Sequence, residues 1–194
     1  MIVELRQYTL HPGRRDELIE LFDREFVESQ EELGMTVLGQ FRDLDHDDRF
    51  VWLRGFADMI VRKQGLQAFY GGPVWKEHGP AANATMIDSD DVLLLRAITP
   101  PPQGPRDKIN SGLLYVTLWS RDHPFDNGFA DLVPGALAAL ATEYAENDFP
   151  ALPVREGEHV FAWITTEPVD VAVPPGIRVE QLRLAPTGRS RLRA

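Results

Sequence analysis

The chain has 194 residues, enough for one large domain or two small ones with a buried core. With 30 acidic against 20 basic residues it carries a formal net charge of -10, which argues against nucleic acid and anionic membrane as partners. It has no cysteine, so disulfides, thiol catalysis and Cys-ligated metals are excluded.

The alternating run Ile2 to Leu10 reads as a strand beginning directly after Met1, with no leader-like segment before it. "HPGRRDEL" then opens a helix, with Pro12 suited to its first turn. Leu18, Leu21, Phe22, Glu25, Phe26, Ser29 and Leu33 keep helical spacing, and Gly34 is a natural stop. "MTVLGQFRDL" and "RFVWLRGFAD" read as a second and third strand joined by a polar turn. A helix over Met59 to Tyr70 follows and breaks at Gly71-Gly72. Pro73 starts another, very short helix that Gly79-Pro80 ends, and "DVLLLRAI" is a fourth strand. The order is β-α-β-β-α-β, the ferredoxin-like unit. "TPPPQGPRDKINSG" holds four prolines and reads as a linker. The apolar run "LVPGALAALA" contains Pro134 and Gly135 and is too short to cross a bilayer, so a soluble, cytoplasmic protein is expected.

The pattern then partly repeats. Residues 1–10 match 111–120 and residues 49–58 match 159–168, both at an offset of 110. The last strand pair, from Val92 and Val179, has an offset of 87. The shortfall falls where the first half holds its second helix, and in the second half "TEPVDVAVPPG" forbids one there. The missing second strand is placed in "ALATEYAEN". The expected fold class is α+β: tandem ferredoxin-like βαββαβ halves packed as one barrel, the second lacking one helix. The expected divisions are residues 1–98, a linker at 99–111, a degenerate half at 112–186 and a flexible tail at 187–194.

"ELRQYTLHPGRRDELIELF", "FYGGPVWKEH", "ANATMIDSDDVLLLR" and "NDFPALPVREGEHVFAW" resemble the NIPSNAP family of the dimeric α+β barrel superfamily. The resemblance spans nearly the whole chain and is strongest over 1–98. It implies the barrel fold. It does not imply one activity, because the superfamily includes cofactor-free monooxygenases, haem-dependent and haem-degrading enzymes and small-molecule isomerases.

Strand periodicity puts Glu4, Arg6 and Tyr8 on one face of the first strand, with Trp52 and Arg54 of the third and Arg96 of the fourth beside them. If that face lines the barrel, the cavity is charged and aromatic-walled. It would then bind an acidic or phenolic small molecule gripped by arginine forks. The competing expectation is a structural ion-pair ladder across the sheet. Tyr70 and Trp75 are expected at one mouth of the barrel. His78, three residues after Trp75, is the candidate proton carrier or axial haem ligand, and packing is its alternative. "NDFPALPVREGE" is expected to close the barrel's other end or to meet a second subunit, with Phe149 and Leu152 inserted. Asp43, Asp45 and Asp47 lack the glycine and glutamate of a calcium loop, so no metal site is expected. Two functions remain open from the sequence. One is a protein binding a small organic molecule in the barrel, as a cofactor-free oxygenase, an isomerase, a haem protein or with no chemistry. The other is a non-catalytic scaffold acting as a homo-oligomer, its bare sheet surface driving self-association.

Overall fold

The computed structural model describes residues 1–106, 112–170 and 172–193. The first half contains β1 (Ile2–Leu10), α1 (Arg15–Leu21), a π-helical turn (Phe22–Phe26), α2 (Val27–Glu31), β2 (Thr36–Asp43), β3 (Arg49–Phe56), α3 (Met59–Gly71), α4 (Pro73–Asn83) and β4 (Met86–Thr99). The second contains β5 (Leu114–Arg121), a 3-10 turn (Asn127–Leu132), β6 (Ala138–Thr142), β7 (His159–Thr165) and β8 (Arg178–Pro186). Each half pairs its strands in the same order, β4-β1-β3-β2 and β8-β5-β7-β6. Antiparallel seams between β2 and β8 and between β4 and β6 join the two sheets into one closed eight-stranded barrel.

The barrel is solid. Val3, Leu5, Val51, Leu53, Leu93 and Leu95 from the first half meet Leu114, Val116, Leu118, Leu140, Ala162, Ile164, Leu182 and Leu184 from the second in one buried core. Side chains are enough to fill an eight-stranded barrel. The charged, aromatic-walled cavity expected inside it is therefore not formed: the face of β1 bearing Glu4, Arg6 and Tyr8 points outward beneath the helices, and one end of the barrel opens into a depression lined by Leu93, Leu118 and Val160. The repeat offset also needs correcting. Val3 and Leu114 face the interior, as do Val51 and Ala162, so the structural offset is odd. Tyr8 therefore corresponds to Trp119, and Trp52 to Trp163.

The helices follow the sequence with two departures. The first helix contains a π turn, which sets Phe22 edge-on against Trp52 at 4.7 Å and Phe26 against Phe69 at 5.6 Å. Helix α4 does not stop at Gly79-Pro80 but runs on to Asn83. Gly79 is there for space. A Cβ at this position would lie 2.7 Å from the Trp75 indole, which rests on the helix. In α3, Asp58 caps the N-terminus by accepting from the Val61 N–H at 2.8 Å.

The second half has one 3-10 turn where the first helix would be, and no helix between β7 and β8 among the described residues. Its outer sheet face is nevertheless covered over β5, β6 and β7, while the outward residues of β8, Val179, Gln181 and Arg183, stay exposed. Phe125 and Phe129 pack on Trp119, Phe161 and Trp163, and Phe129 stacks on Trp163 at 4.9 Å. The bare surface expected to drive self-association is thus confined to the outer face of β8.

The tail is docked rather than flexible. Leu192 is buried in the barrel core, its N–H donates to the Leu38 carbonyl at 2.7 Å, and Thr187 N–H donates to the Gln40 carbonyl. The Pro-rich linker is anchored by the tail, since Gly104 N–H donates to Arg191 O and Arg106 reaches Arg189 O and Val37 O. Residues 107–111 of the expected linker lie outside the described residues.

The tail also lies against Asp23, whose carbonyl accepts from Arg189. Burial pushes the Asp23 carboxyl up to about 6, only partly opposed by Arg189, Arg106 and Arg42. A raised folded pKa contributes stability that is present below the ordinary value of 3.8 and lost as pH rises through about 6. Asp23→Asn is expected to raise stability at pH 7.5 by roughly 1 kcal/mol, discounted because the group is half-buried. The gain should shrink as pH falls towards 4. Thermal melts at both pH values check this, and an equal gain at both would contradict it.

Candidate functional site

The outward face of the first sheet carries a buried ion cluster. Register sets Glu4 directly opposite Arg54, and Arg6 opposite Trp52. Glu4, fully buried, accepts from Arg6 Nη1 at 2.8 Å, Arg54 Nη2 at 2.7 Å and Nε at 3.1 Å, and Arg62 Nε at 2.8 Å. Burial opposes its charge, but Arg54, Arg6 and Arg62 together hold the carboxyl far below the usual carboxylate range. Gln30 accepts from Arg54 Nη1 at 2.9 Å. Trp52 lies between two guanidinium groups, Arg54 at 5.0 Å and Arg6 at 5.6 Å from its ring centre.

Arg62 was not anticipated. It shares the buried face of α3 with Leu66 and Phe69, a 62-66-69 spacing visible in the sequence. It takes the place expected of Arg96, which turns away to Asn127 at 2.8 Å. From Glu4, Arg62 extends to Asp148 Oδ1 at 2.8 Å and so ties the 147–153 segment of the second half to the first.

Beside this cluster lies a pocket of about 370 Å³. Arg6 and Tyr8 reach it from the sheet, Tyr70 and Trp75 from the helices, Phe149 and Leu152 from the second half, and Ser89 and Asp90 from β4. Tyr70 packs edge-on to Trp75 at 4.6 Å and stacks with Phe149 at 5.9 Å. A narrow slot of about 30 Å³, walled by Trp52, Phe22, Phe26 and Phe69, shares Tyr8, Tyr70 and Trp75 with it. The Tyr8 hydroxyl accepts from Arg6 Nε at 2.8 Å. Burial pushes the Tyr8 phenol up, although Arg6 beside it acts in the opposite sense.

Of the residues singled out from sequence, Arg6, Tyr8, Tyr70 and Trp75 line this pocket and Trp52 lines the slot. Glu4 and Arg54 stand behind them as support. His78 lies elsewhere. One helical step of three residues turns it from Trp75 towards the π turn, where Nε2 is 3.4 Å from Glu25 Oε2. Placed there, it faces a carboxylate and lines no part of the pocket. The "NDFPALPV" segment closes this pocket and not an end of the barrel. No group of side chains suited to hold a metal ion occurs among the described residues, and no helix among them is long and apolar enough to cross a membrane.

The fold recurs over nearly the whole chain in solved structures. A candidate monooxygenase from Fusobacterium nucleatum subsp. nucleatum superposes with a TM-score of 0.61 at 9% identity, covering 95% of this chain and 91% of that one. A candidate monooxygenase from Lactobacillus acidophilus gives 0.60 at 12% identity, covering 95% and 93%. A NIPSNAP-like domain protein from Burkholderia xenovorans is 25% identical over 52% of this chain and 89% of its own, with a TM-score of 0.45. No curated protein matches the chain. The family model for NIPSNAP matches residues 3–100, which include α3, α4 and every first-half strand around the pocket, and the chain belongs to the NIPSNAP family.

Proposed function

We propose that this NIPSNAP protein binds one small planar organic molecule in the pocket between its first sheet and the helices over it. The observation that carries this is the pairing of a buried arginine and phenol, Arg6 and Tyr8, with aromatic walls Tyr70, Trp75 and Phe149 around open space. The second half supports it by contrast. There the equivalent side of the sheet is filled by Phe129 and Trp163 and carries no ion cluster among the described residues. A scaffold would be served by that filling in both halves.

Thermal shift against a panel of small aromatic acids, phenols and ketones tests the reading. Compounds that raise Tm are expected, and Ala151→Trp, placed at the exposed pocket wall, is expected to abolish the rise while leaving the unliganded Tm unchanged. Retention of binding in that variant, or no compound that raises Tm, would overturn it.

A second reading, oxygenation of the bound molecule without a cofactor, takes support from the fold shared with two candidate monooxygenases. Arg6 and Tyr8 would then hold the substrate's oxyanion. Oxygen uptake that appears with a binding compound and is lost in Ala151→Trp is the expected result, and no uptake with any binder would remove this reading.

A further inference from the structure

We infer that the pocket's occupant is a monoanion, a planar molecule whose carboxylate, phenolate or enolate oxygen sits between Arg6 Nη2 and the Tyr8 hydroxyl. The inference rests on the pocket reading above and adds the charge and the contacts of the ligand.

The first argument is charge. The cluster behind the pocket contains three guanidinium groups, Arg6, Arg54 and Arg62, against two carboxylates, Glu4 and Asp148. The arginines and Glu4 are sealed from solvent, whereas the Asp148 side chain is 26% exposed. All three arginines are paired, but they share two carboxylates, so the cluster keeps a net charge of one positive, and uncompensated buried charge is costly. Arg6 is the member of the three that reaches the pocket. Asp90 also reaches it, but from an exposed position where water screens it.

The second argument is the count of donors and is independent of the first. Arg6 uses Nε on Tyr8 and Nη1 on Glu4, and its Nη2 has no hydrogen bond among the described residues. Arg62 Nη2 is a buried N–H donor that also lacks a partner there; Trp52 Nε1 lacks one too, but so do Trp119 and Trp163 Nε1 in the filled second half, so the indoles do not count towards a ligand. Buried donors in folded proteins are nearly always satisfied, so a cluster with donors in excess calls for an acceptor from outside.

The third argument is the state of Tyr8. Its oxygen accepts from Arg6, so its own O–H is free to donate in another direction. Burial keeps the phenol neutral at ordinary pH and hence a donor. A guanidinium N–H and a phenol O–H held side by side match the lone pairs of one anionic oxygen. The surplus of one positive charge in the cluster matches one negative charge on the ligand, which selects a monoanion over a dianion.

The test is calorimetric titration of benzoate, 4-hydroxybenzoate and 2-naphthoate, each beside its primary amide, into the wild-type protein and Tyr8→Phe. The acids are expected to bind at least about ten-fold tighter than the amides, the scale of one charge-assisted hydrogen bond. Tyr8→Phe is expected to weaken the acids about ten-fold and the amides hardly at all, which separates a lost contact from a damaged fold. Amides binding as tightly as acids would overturn the monoanion and leave the pocket standing. Unchanged acid binding in Tyr8→Phe would overturn the assigned contact. No binding by any of the six compounds would overturn the pocket reading itself.

Discussion

Glu4→Gln is expected to destabilise the protein by about 3–5 kcal/mol, the usual penalty for removing one member of a buried ion cluster. In a chain of this size that corresponds to a fall in Tm of roughly 6–20 °C. Gln keeps the shape of Glu4 but removes the charge that three guanidinium groups converge on, and four hydrogen bonds from them end on its two oxygens. One of those oxygens becomes an amide nitrogen, which sets N–H against N–H in a dry site. The wild-type carboxyl, held far below its ordinary range, contributes its stability at every pH above that range and loses it only in strong acid. The loss in Glu4→Gln should therefore be the same at pH 6 and pH 8. Thermal melts at both values check this, and a fall of less than about 2 °C would mean that the cluster does not bind the sheet to α3 as described.

The alternation that brings Glu4, Arg6, Tyr8, Trp52 and Arg54 together was legible in the sequence, because strand periodicity is strict and the first half has one charged face and one apolar face. Which face points into the barrel was not legible. Both are buried, one by the opposite sheet and the other by helices, so burial patterning alone does not separate them. The repeat was read one residue out of register for a related reason. In β5 and β7 both faces are apolar, Val116 and Leu118 inside and Trp119 and Trp163 outside, so a slip of one residue changes little in composition. Arg62 and Asp148 were missed because their contact joins residues 86 positions apart. The continuation of α4 through Pro80 was missed because the proline reads as a stop, whereas here the helix runs on past it to Asn83.

Deletion of residues 187–194 is the second large effect, expected to cost roughly 3–6 kcal/mol, the sum of one buried leucine and the backbone bonds made by the tail. The ladder between β2 and β8 contains three residue pairs, Phe41–Pro186, Arg42–Ala185 and Asp43–Leu184. Beyond it the seam is continued by Thr187 N–H to Gln40 O and Leu192 N–H to Leu38 O. Gly39 marks how tight this edge is, since a Cβ there would lie 2.5 Å from the Phe41 ring and 2.9 Å from Ser190 Oγ. Removing the tail opens that edge and leaves Arg106 without its Arg189 partner. Leu192→Ala alone is expected to cost about 2–5 kcal/mol, as core leucine truncations do. Denaturant melts of both variants measure this. Wild-type stability in the deletion would show that the seam closes without the tail. Because residues 187–194 line no part of the pocket, ligand affinity in the folded fraction should be unchanged.

The two halves of the chain have diverged in a way that bears on stoichiometry. In the first, helices α3 and α4 stand over an ion cluster and leave space. In the second, Phe125 and Phe129 descend onto Trp119, Phe161 and Trp163 and fill it. The second half gives the first a wall, through Phe149 and Leu152, and a clamp, through Asp148 to Arg62. On the proposed function, one ligand per chain is the expected stoichiometry.

The four tryptophans divide between these two environments, Trp52 and Trp75 at the pocket and its slot, and Trp119 and Trp163 in the filled second half. Nitrogen-15 spectra of the indole N–H groups, assigned by single Trp→Phe variants and followed during titration with 2-naphthoate, report on both at once. The account predicts that the Trp52 and Trp75 signals move while Trp119 and Trp163 stay in place. Movement confined to Trp119 and Trp163, or no movement at saturating ligand, would contradict it.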